Sequence, residues 1–184
     1  MRSHQHDQTE QHSHKKSLGQ HFLHDKNILN KIVSVAGISP TDTILEIGPG
    51  EGALTKYLLA TGVTVVAVEK DTLLIEKLQQ TFADQIEQGK LRIMSGDFLE
   101  TDLQTVVSGE QYKVVANIPY NITGAIIRKL LQSQHQPTEV ALLIQREVAE
   151  RIICKNRKGR DTSENLFSLS VKAFGDPSIA FHVS

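Results

Sequence analysis

Four short clusters of residues in this chain could do chemistry, and each follows an apolar, β-branched run. The first is Glu46-Ile47-Gly48-Pro49-Gly50-Glu51-Gly52, where glycine recurs at alternate positions. Glycines so spaced let the backbone approach a ligand closely and let a helix start tightly. An ordinary glycine-rich turn has the same composition, so this cluster alone does not decide. The second is Glu69, 21 residues beyond Gly48. An acid there can accept two hydrogen bonds from a ribose diol, and joined with the glycine loop it points to a nucleoside site. The third is Gly96-Asp97-Phe98. Asp97 can accept from an exocyclic adenine amine while Phe98 lines the ring. Taken singly, Asp97 reads as a turn or cap residue and Phe98 as core.

These three clusters do not separate a nicotinamide-dependent oxidoreductase from a methyltransferase. The fourth does: Asn117-Ile118-Pro119-Tyr120-Asn121-Ile122. A proline between an amide and an aromatic ring, directly after a buried strand, suits an adenine amine. The Asn117 side-chain oxygen and the Ile118 carbonyl can accept its two protons, which draws the nitrogen lone pair out of conjugation. Pro119 fixes the backbone so that both acceptors converge. Tyr120 offers a ring on which the base can stack, worth ~1–3 kcal/mol.

Such residues need a scaffold that brings strand ends together. Ile28, Leu29, Ile32, Val33 and Ala36 recur at helical spacing behind Asp25 as N-cap. Thr43–Ile47 is a strand, residues 54–59 a helix, and residues 63–68 a strand apolar enough to be buried on both faces. A helix over 73–82, a strand over 91–94, a strand over 112–116 and a helix over 122–131 follow. Beyond them come a strand over 140–144, helices over 147–153 and 165–173, and a final strand over 178–183. Strands alternating with helices predict right-handed βαβ units and an α/β fold with a parallel sheet covered on both faces. In such sheets ligands lie beyond the carboxyl ends of the strands, where all four clusters fall.

Composition narrows the classes. The chain has 184 residues, enough for one domain, with 39% apolar and 22% charged residues. Lys and Arg number 20 against 21 Asp and Glu, so bulk positive charge offers no argument for a nucleic-acid partner. One cysteine, Cys154, excludes an internal disulfide and points to a reducing, cytoplasmic setting. No apolar run approaches the ~18 residues of a membrane span, and the N-terminus has no signal-peptide core. Residues 1–16 hold one apolar residue, Met1, and read as a disordered tail. The tail histidines His4, His6, His12 and His14 lack the rigid array that a metal site needs.

The chain resembles the ribosomal RNA adenine N6-dimethyltransferases from about Lys16 onward. The resemblance rests on Gly19-Gln20-His21-Phe22-Leu23, Glu46–Gly52, Glu69, Asp97 and Asn117–Ile122. It implies a Rossmann-like class I S-adenosylmethionine-dependent methyltransferase fold over residues 17–184. It places cofactor contacts on His21, Leu23, Gly48, Glu69, Asp97 and Asn117, and catalytic roles on Asn117, Pro119 and Tyr120. The family pattern usually has asparagine where this chain has His21. The implied reaction uses S-adenosylmethionine and needs neither a metal nor a thiol, so Cys154 is read as packing. A monomer is expected.

Two branches of that family are in question. Ile118 is common in the erythromycin-resistance methylases of large-subunit rRNA. Gly19–Leu23, Gly48-Pro49-Gly50 and Leu143–Ala149 look like the branch that dimethylates two adjacent adenines near the 3′ end of small-subunit rRNA, and that branch is favoured. The partner implied is then small-subunit rRNA within an immature small ribosomal subunit. Arg146, Arg151, Lys155, Arg157, Lys158 and Arg160 fall within fifteen positions and are candidates for phosphate contact, against a reading as a solvated face. Relatives continue past the position of Ser184 with a second stacking phenylalanine, a final strand and a small helical domain. The expectation is therefore a catalytic domain lacking these, with Phe181 as core of the last strand. Two rival readings remain at this level: a ribosome-assembly factor whose main role is binding, and a DNA adenine methyltransferase with a similar fourth cluster.

Overall fold

A computed structural model describes residues 25–107, 111–155 and 158–183. The expected tail over residues 1–16, together with His21 and Leu23, lies outside the described residues, as does Arg157. Helix α1 (Lys26–Val35) starts where the Asp25 side chain accepts from the N–H groups of Asn27 and Ile28. Strand β1 (Thr43–Ile47) leads through the glycine loop into α2 (Ala53–Leu59), and β2 (Thr64–Glu69) leads into α3 (Thr72–Thr81). The β2–α3 connection is short because Asp71 caps α3 directly, accepting from Leu73 and Leu74. Then come α4 (Ala83–Glu87), β3 (Leu91–Ser95), α5 (Leu103–Val106), β4 (Tyr112–Asn117) and α6 (Thr123–Gln132). Last are β5 (Glu139–Leu143), α7 (Arg146–Ile153) and α8 (Leu166–Lys172).

The five strands form one parallel sheet in the order β3-β2-β1-β4-β5. Chain order reverses between β1 and β4, so this pair marks the crevice at which such sheets bind ligands. The β1–β4 register runs Thr43↔Tyr112 to Leu45↔Val114, which leaves Ile47 and Asn117 beyond the paired residues. Alternation sets the two faces. Leu45, Ile47, Val66, Val68, Val114 and Ala116 join a core with α5 and α6. Ile44, Val65, Ala67 and Val115 join a second core with α1, α2 and α3.

The short α4 and α5 stand where the sequence predicts no helix, and the expected last strand is absent. The helix expected over 73–82 is α3, closed at Phe82, and the separate short α4 follows it. Residues 178–183 form no strand. A strand needs a ladder partner, and β1–β5 pair only with one another, none with this segment. Apolar burial holds the segment instead: Phe181 packs against the α1-side core, with the Lys31 ammonium 4.7 Å from its ring centroid. Strand β5 is accordingly an edge strand, as β3 is at the other side, and Val140 on it is 45% exposed, although its sequence reads as apolar as the central strands.

Candidate cofactor and base-binding site

The carboxyl ends of β1, β2, β3 and β4 carry the four clusters, and the parallel sheet brings all four to one edge. The glycine loop is tied down at both ends. Gly48 N–H donates to the Val68 carbonyl at 2.9 Å, and Gly52 N–H donates to the Pro49 carbonyl at 3.0 Å. Its glycines serve different needs. Gly48 has φ +64°, and a Cβ built there meets nothing within 4 Å, so it opens onto free space. Gly52 has φ +82°, and a Cβ there would lie 2.5 Å from Phe82 Cε2 and 2.8 Å from Leu78 Cδ2. Gly48 thus leaves room above the backbone, whereas Gly52 lets α2 pack on α3.

Glu69 is 3% exposed and is held by backbone donors. Gly50 N–H donates to its Oε2 at 3.1 Å, while Lys70 and Asp71 N–H donate to Oε1 at 2.8 and 3.0 Å. A carboxylate accepts at about four sites, so capacity remains for a hydroxyl. The same side chain therefore fixes the glycine loop and faces the strand ends. Asp97 follows β3, where the Gly96 N–H donates to the Glu69 carbonyl at 2.8 Å. Its Oδ1 accepts from Leu99 N–H at 2.9 Å and its Oδ2 from Lys70 Nζ at 2.8 Å. The Lys70 ammonium, and then the Leu99 N–H, hold the Asp97 carboxyl below its usual range. Phe98 is buried in the α5–α6 core, so its ring belongs to the packing beneath this turn.

Asn117 ends β4 half-buried and in register with Leu143. Ile118 is 2% exposed and anchors the turn, while Pro119 sits at φ −60°, ψ 134° ahead of a 3-10 turn over Tyr120–Ile122. The Pro119 carbonyl accepts from Thr123 Oγ1 at 3.3 Å and from Ile122 N–H at 3.4 Å. These bonds aim that carbonyl into α6 and leave the Tyr120 ring partly exposed at the sheet edge.

The basic residues gather elsewhere, on α7 and the loop after it. Arg146 Nε pairs with Glu150 Oε1 at 2.6 Å on the same helix. Arg151 is exposed, with its guanidinium 5.9 Å from the Phe167 ring centroid. Lys155 bridges to Asp161 in antiparallel fashion, and Lys158 and Arg160 are exposed on the loop. Cys154 is buried, its thiol 3.3 Å from Glu164 Oε2. Among the described residues no helix is long and apolar enough to cross a membrane, and no group of three His, Cys, Asp or Glu is placed to hold a metal ion.

The sequence reading gave Glu46 no role beyond membership of the first cluster, and it passed over Lys70. Glu46 is 1% exposed, and Thr55 Oγ1 donates to its Oε2 at 2.7 Å. Burial, aided by the nearby Glu69 charge, pushes its carboxyl up to about 8 despite the Thr55 bond. An acid inside the buried run over residues 44–47 was the available signal. Lys70 gave none, because its neighbour Asp97 is 27 residues away in the chain.

The family description "Ribosomal RNA adenine dimethylase" matches residues 11–171. Over 166 residues the chain is 39% identical to the ribosomal RNA small subunit methyltransferase A of Dehalococcoides mccartyi strain CBDB1, covering 90% of this chain and 54% of that protein. Its identity to the protein of the same name from Chlorobium luteolum is 42%, over 76% of this chain and 49% of the relative. The chain thus spans about half the length of the curated relatives it matches. A dimethyladenosine transferase structure from Plasmodium falciparum aligns with TM-score 0.60 and 31% identity, covering 72% of this chain and 46% of that one. The 23S rRNA methyltransferase ErmE aligns with TM-score 0.62 and 28% identity, covering 71% of this chain and 50% of that one.

Proposed function

The chain belongs to the ribosomal RNA adenine dimethylase family, and from that membership we propose that it transfers methyl groups from S-adenosylmethionine to N6 of two adjacent adenines near the 3′ end of small-subunit rRNA. Its sheet and flanking helices have the Rossmann-like fold of class I S-adenosylmethionine-dependent methyltransferases. One observation carries the functional reading. Asn117-Ile118-Pro119-Tyr120 stands at the end of β4, beside the glycine loop that ends β1, where the strand order reverses.

The residues present suit the cofactor: open space above Gly48, an acceptor site to spare on Glu69, and the ionised Asp97. When bound, S-adenosylmethionine supplies a methyl group already activated by its sulfonium. Glu69 accepts from a ribose hydroxyl, and Asp97 accepts from the cofactor's adenine amine. Gly48 and Asn117 line the same site, and the resemblance adds His21 and Leu23. On the target side, the base leaves its stack to reach the crevice. The Asn117 side-chain oxygen and the Ile118 carbonyl accept hydrogen bonds from its two N6–H groups, Pro119 holds the two acceptors convergent, and Tyr120 stacks on the base. Catalysis is positioning and electrostatics, and the displaced proton leaves to water.

The small-subunit target is favoured because the 39% and 42% identical relatives carry that name, against 28% identity to ErmE. In this reading Arg146, Arg151, Lys155, Arg157, Lys158 and Arg160 contact rRNA phosphates of an immature small subunit. The protein works as a cytoplasmic monomer. Calorimetric titration with S-adenosylmethionine tests the site. Glu69→Gln exchanges a charged acceptor for a neutral one and should weaken binding about tenfold. Equal affinities would overturn the assignment.

A further inference from the structure

Lys70 and Asp97 close one side of the site before any ligand arrives. Lys70 follows the last residue of β2, and Asp97 follows β3 by one residue, so their 2.8 Å ion pair bridges two neighbouring strand ends. Both Asp97 oxygens are engaged, but unequally. Oδ1 is fixed inside its own turn by Leu99 N–H at 2.9 Å, and the Glu100 N–H and Thr101 Oγ1 secure the Asp97 carbonyl at 2.9 and 2.8 Å. Oδ2 accepts a hydrogen bond from Lys70 alone, whose side chain is 73% exposed and makes no other hydrogen bond or ion pair among the described residues, with the Glu100 charge nearby. The backbone of Lys70 is anchored, since its N–H donates to Glu69 Oε1, so the side chain can swing without moving β2.

We propose that Lys70 is a latch on the adenine subsite: the cofactor's exocyclic amine reaches Asp97 Oδ2 by displacing the Lys70 ammonium. This rests on the reading of Asp97 as the adenine acceptor. A second ammonium makes the exchange workable. Lys129 Nζ is pinned by the Leu99 carbonyl at 2.9 Å and also favours the charged form of Asp97. Asp97 therefore stays an ionised acceptor after Lys70 departs. The latch sits next to Glu69, so one dipeptide carries both the ribose acceptor and the gate to the adenine acceptor. Lys70 thereby sets cofactor affinity without entering the chemistry.

An exposed ion pair is weak, so releasing it shifts affinity modestly, by about twofold to fivefold. The probe is S-adenosylhomocysteine, whose zwitterionic charges cancel and which is not turned over, read by calorimetry on the full chain. Lys70→Met should bind it about twofold to fivefold tighter than wild type at low salt. Raising the salt should strengthen wild-type binding toward that of Lys70→Met, because salt screens the exposed pair, and should leave the variant unchanged. Lys70→Arg keeps a cation and should behave as wild type. Lys70 is exposed, so both variants should melt with the wild type. Equal or weaker binding by Lys70→Met, or identical behaviour of the Met and Arg variants, overturns the latch. Failure of the wild type to bind at all overturns the methyltransferase reading itself, and the two failures are distinct.

Discussion

Replacing Glu46 by glutamine should make the protein more stable at alkaline pH, and the size of the gain follows from the burial of this carboxyl. Its folded value is raised from 4.5 to about 8. A carboxyl raised on folding contributes stability fully below its unfolded value, and the contribution is lost as pH rises through the folded value. Between those limits the loss is about 1.4 kcal/mol per pH unit, or roughly 5 kcal/mol across the span. Glu46→Gln has the same shape, retains an oxygen to accept from Thr55 Oγ1, and carries no charge at any pH. The two proteins should therefore be of similar stability near pH 5 and diverge steadily, with the variant ahead by roughly 4–5 kcal/mol near pH 9. Titrating groups that do not interact with Glu46 are common to both proteins and cancel in the difference; the Glu69 charge, which acts on Glu46, does not. Urea unfolding of both proteins across this pH range measures it. A stability difference that does not change with pH would show that Glu46 is ionised in the folded protein, and the burial argument would fail.

The remaining predictions concern the loop, the base platform and the basic loop. Gly52→Ala should lower stability by about 2–4 kcal/mol, from overpacking against Phe82 and Leu78 at a positive φ. Gly48→Ala should cost only about 1–2 kcal/mol from its φ, yet weaken S-adenosylhomocysteine binding more than Gly52→Ala does; thermal melts and calorimetry on both variants separate these effects. Tyr120→Ala should slow single-turnover methylation of undermethylated small subunits about tenfold or more, whereas Tyr120→Phe keeps the ring and should be mild. Neutralising Arg151, Lys158 and Arg160 together should weaken rRNA binding and flatten its salt dependence by up to about one unit of slope per contact, as read by titration at several salt concentrations. Arg146→Ala should do less, because its guanidinium already pairs with Glu150.

The centre of the sheet was legible in the sequence because β1, β2 and β4 are short β-branched runs ended by glycine, acid or asparagine. Thr43–Ile47 was bounded to the residue, and β4 was missed by one at its end, where Asn117 itself completes the strand. The four strand-end clusters were legible for the same reason: a parallel sheet places every carboxyl end on one edge. Residues 178–183 were not legible. Their alternating Ile179, Phe181 and Val183 predict a strand, but that pattern reports burial of one face and says nothing about a ladder partner. The short α4 and α5 hold too few apolar repeats to register as helices. The links from Glu46 to Thr55 and from Lys70 to Asp97 lay beyond sequence reading, because both join side chains across separate elements. Spacing names the residues at a strand end, but only their packing shows which of them already hold one another.

The central claim is transfer of methyl groups to adenine N6 in small-subunit rRNA. Its most direct test supplies the gene to a host whose small-subunit rRNA lacks adenine dimethylation and reads rRNA adenines by mass spectrometry. The account predicts N6,N6-dimethyladenosine at two adjacent positions near the 3′ end of small-subunit rRNA, and its loss in Asn117→Ala. Dimethyladenosine appearing in large-subunit rRNA instead, or undiminished modification with Asn117→Ala, would contradict it.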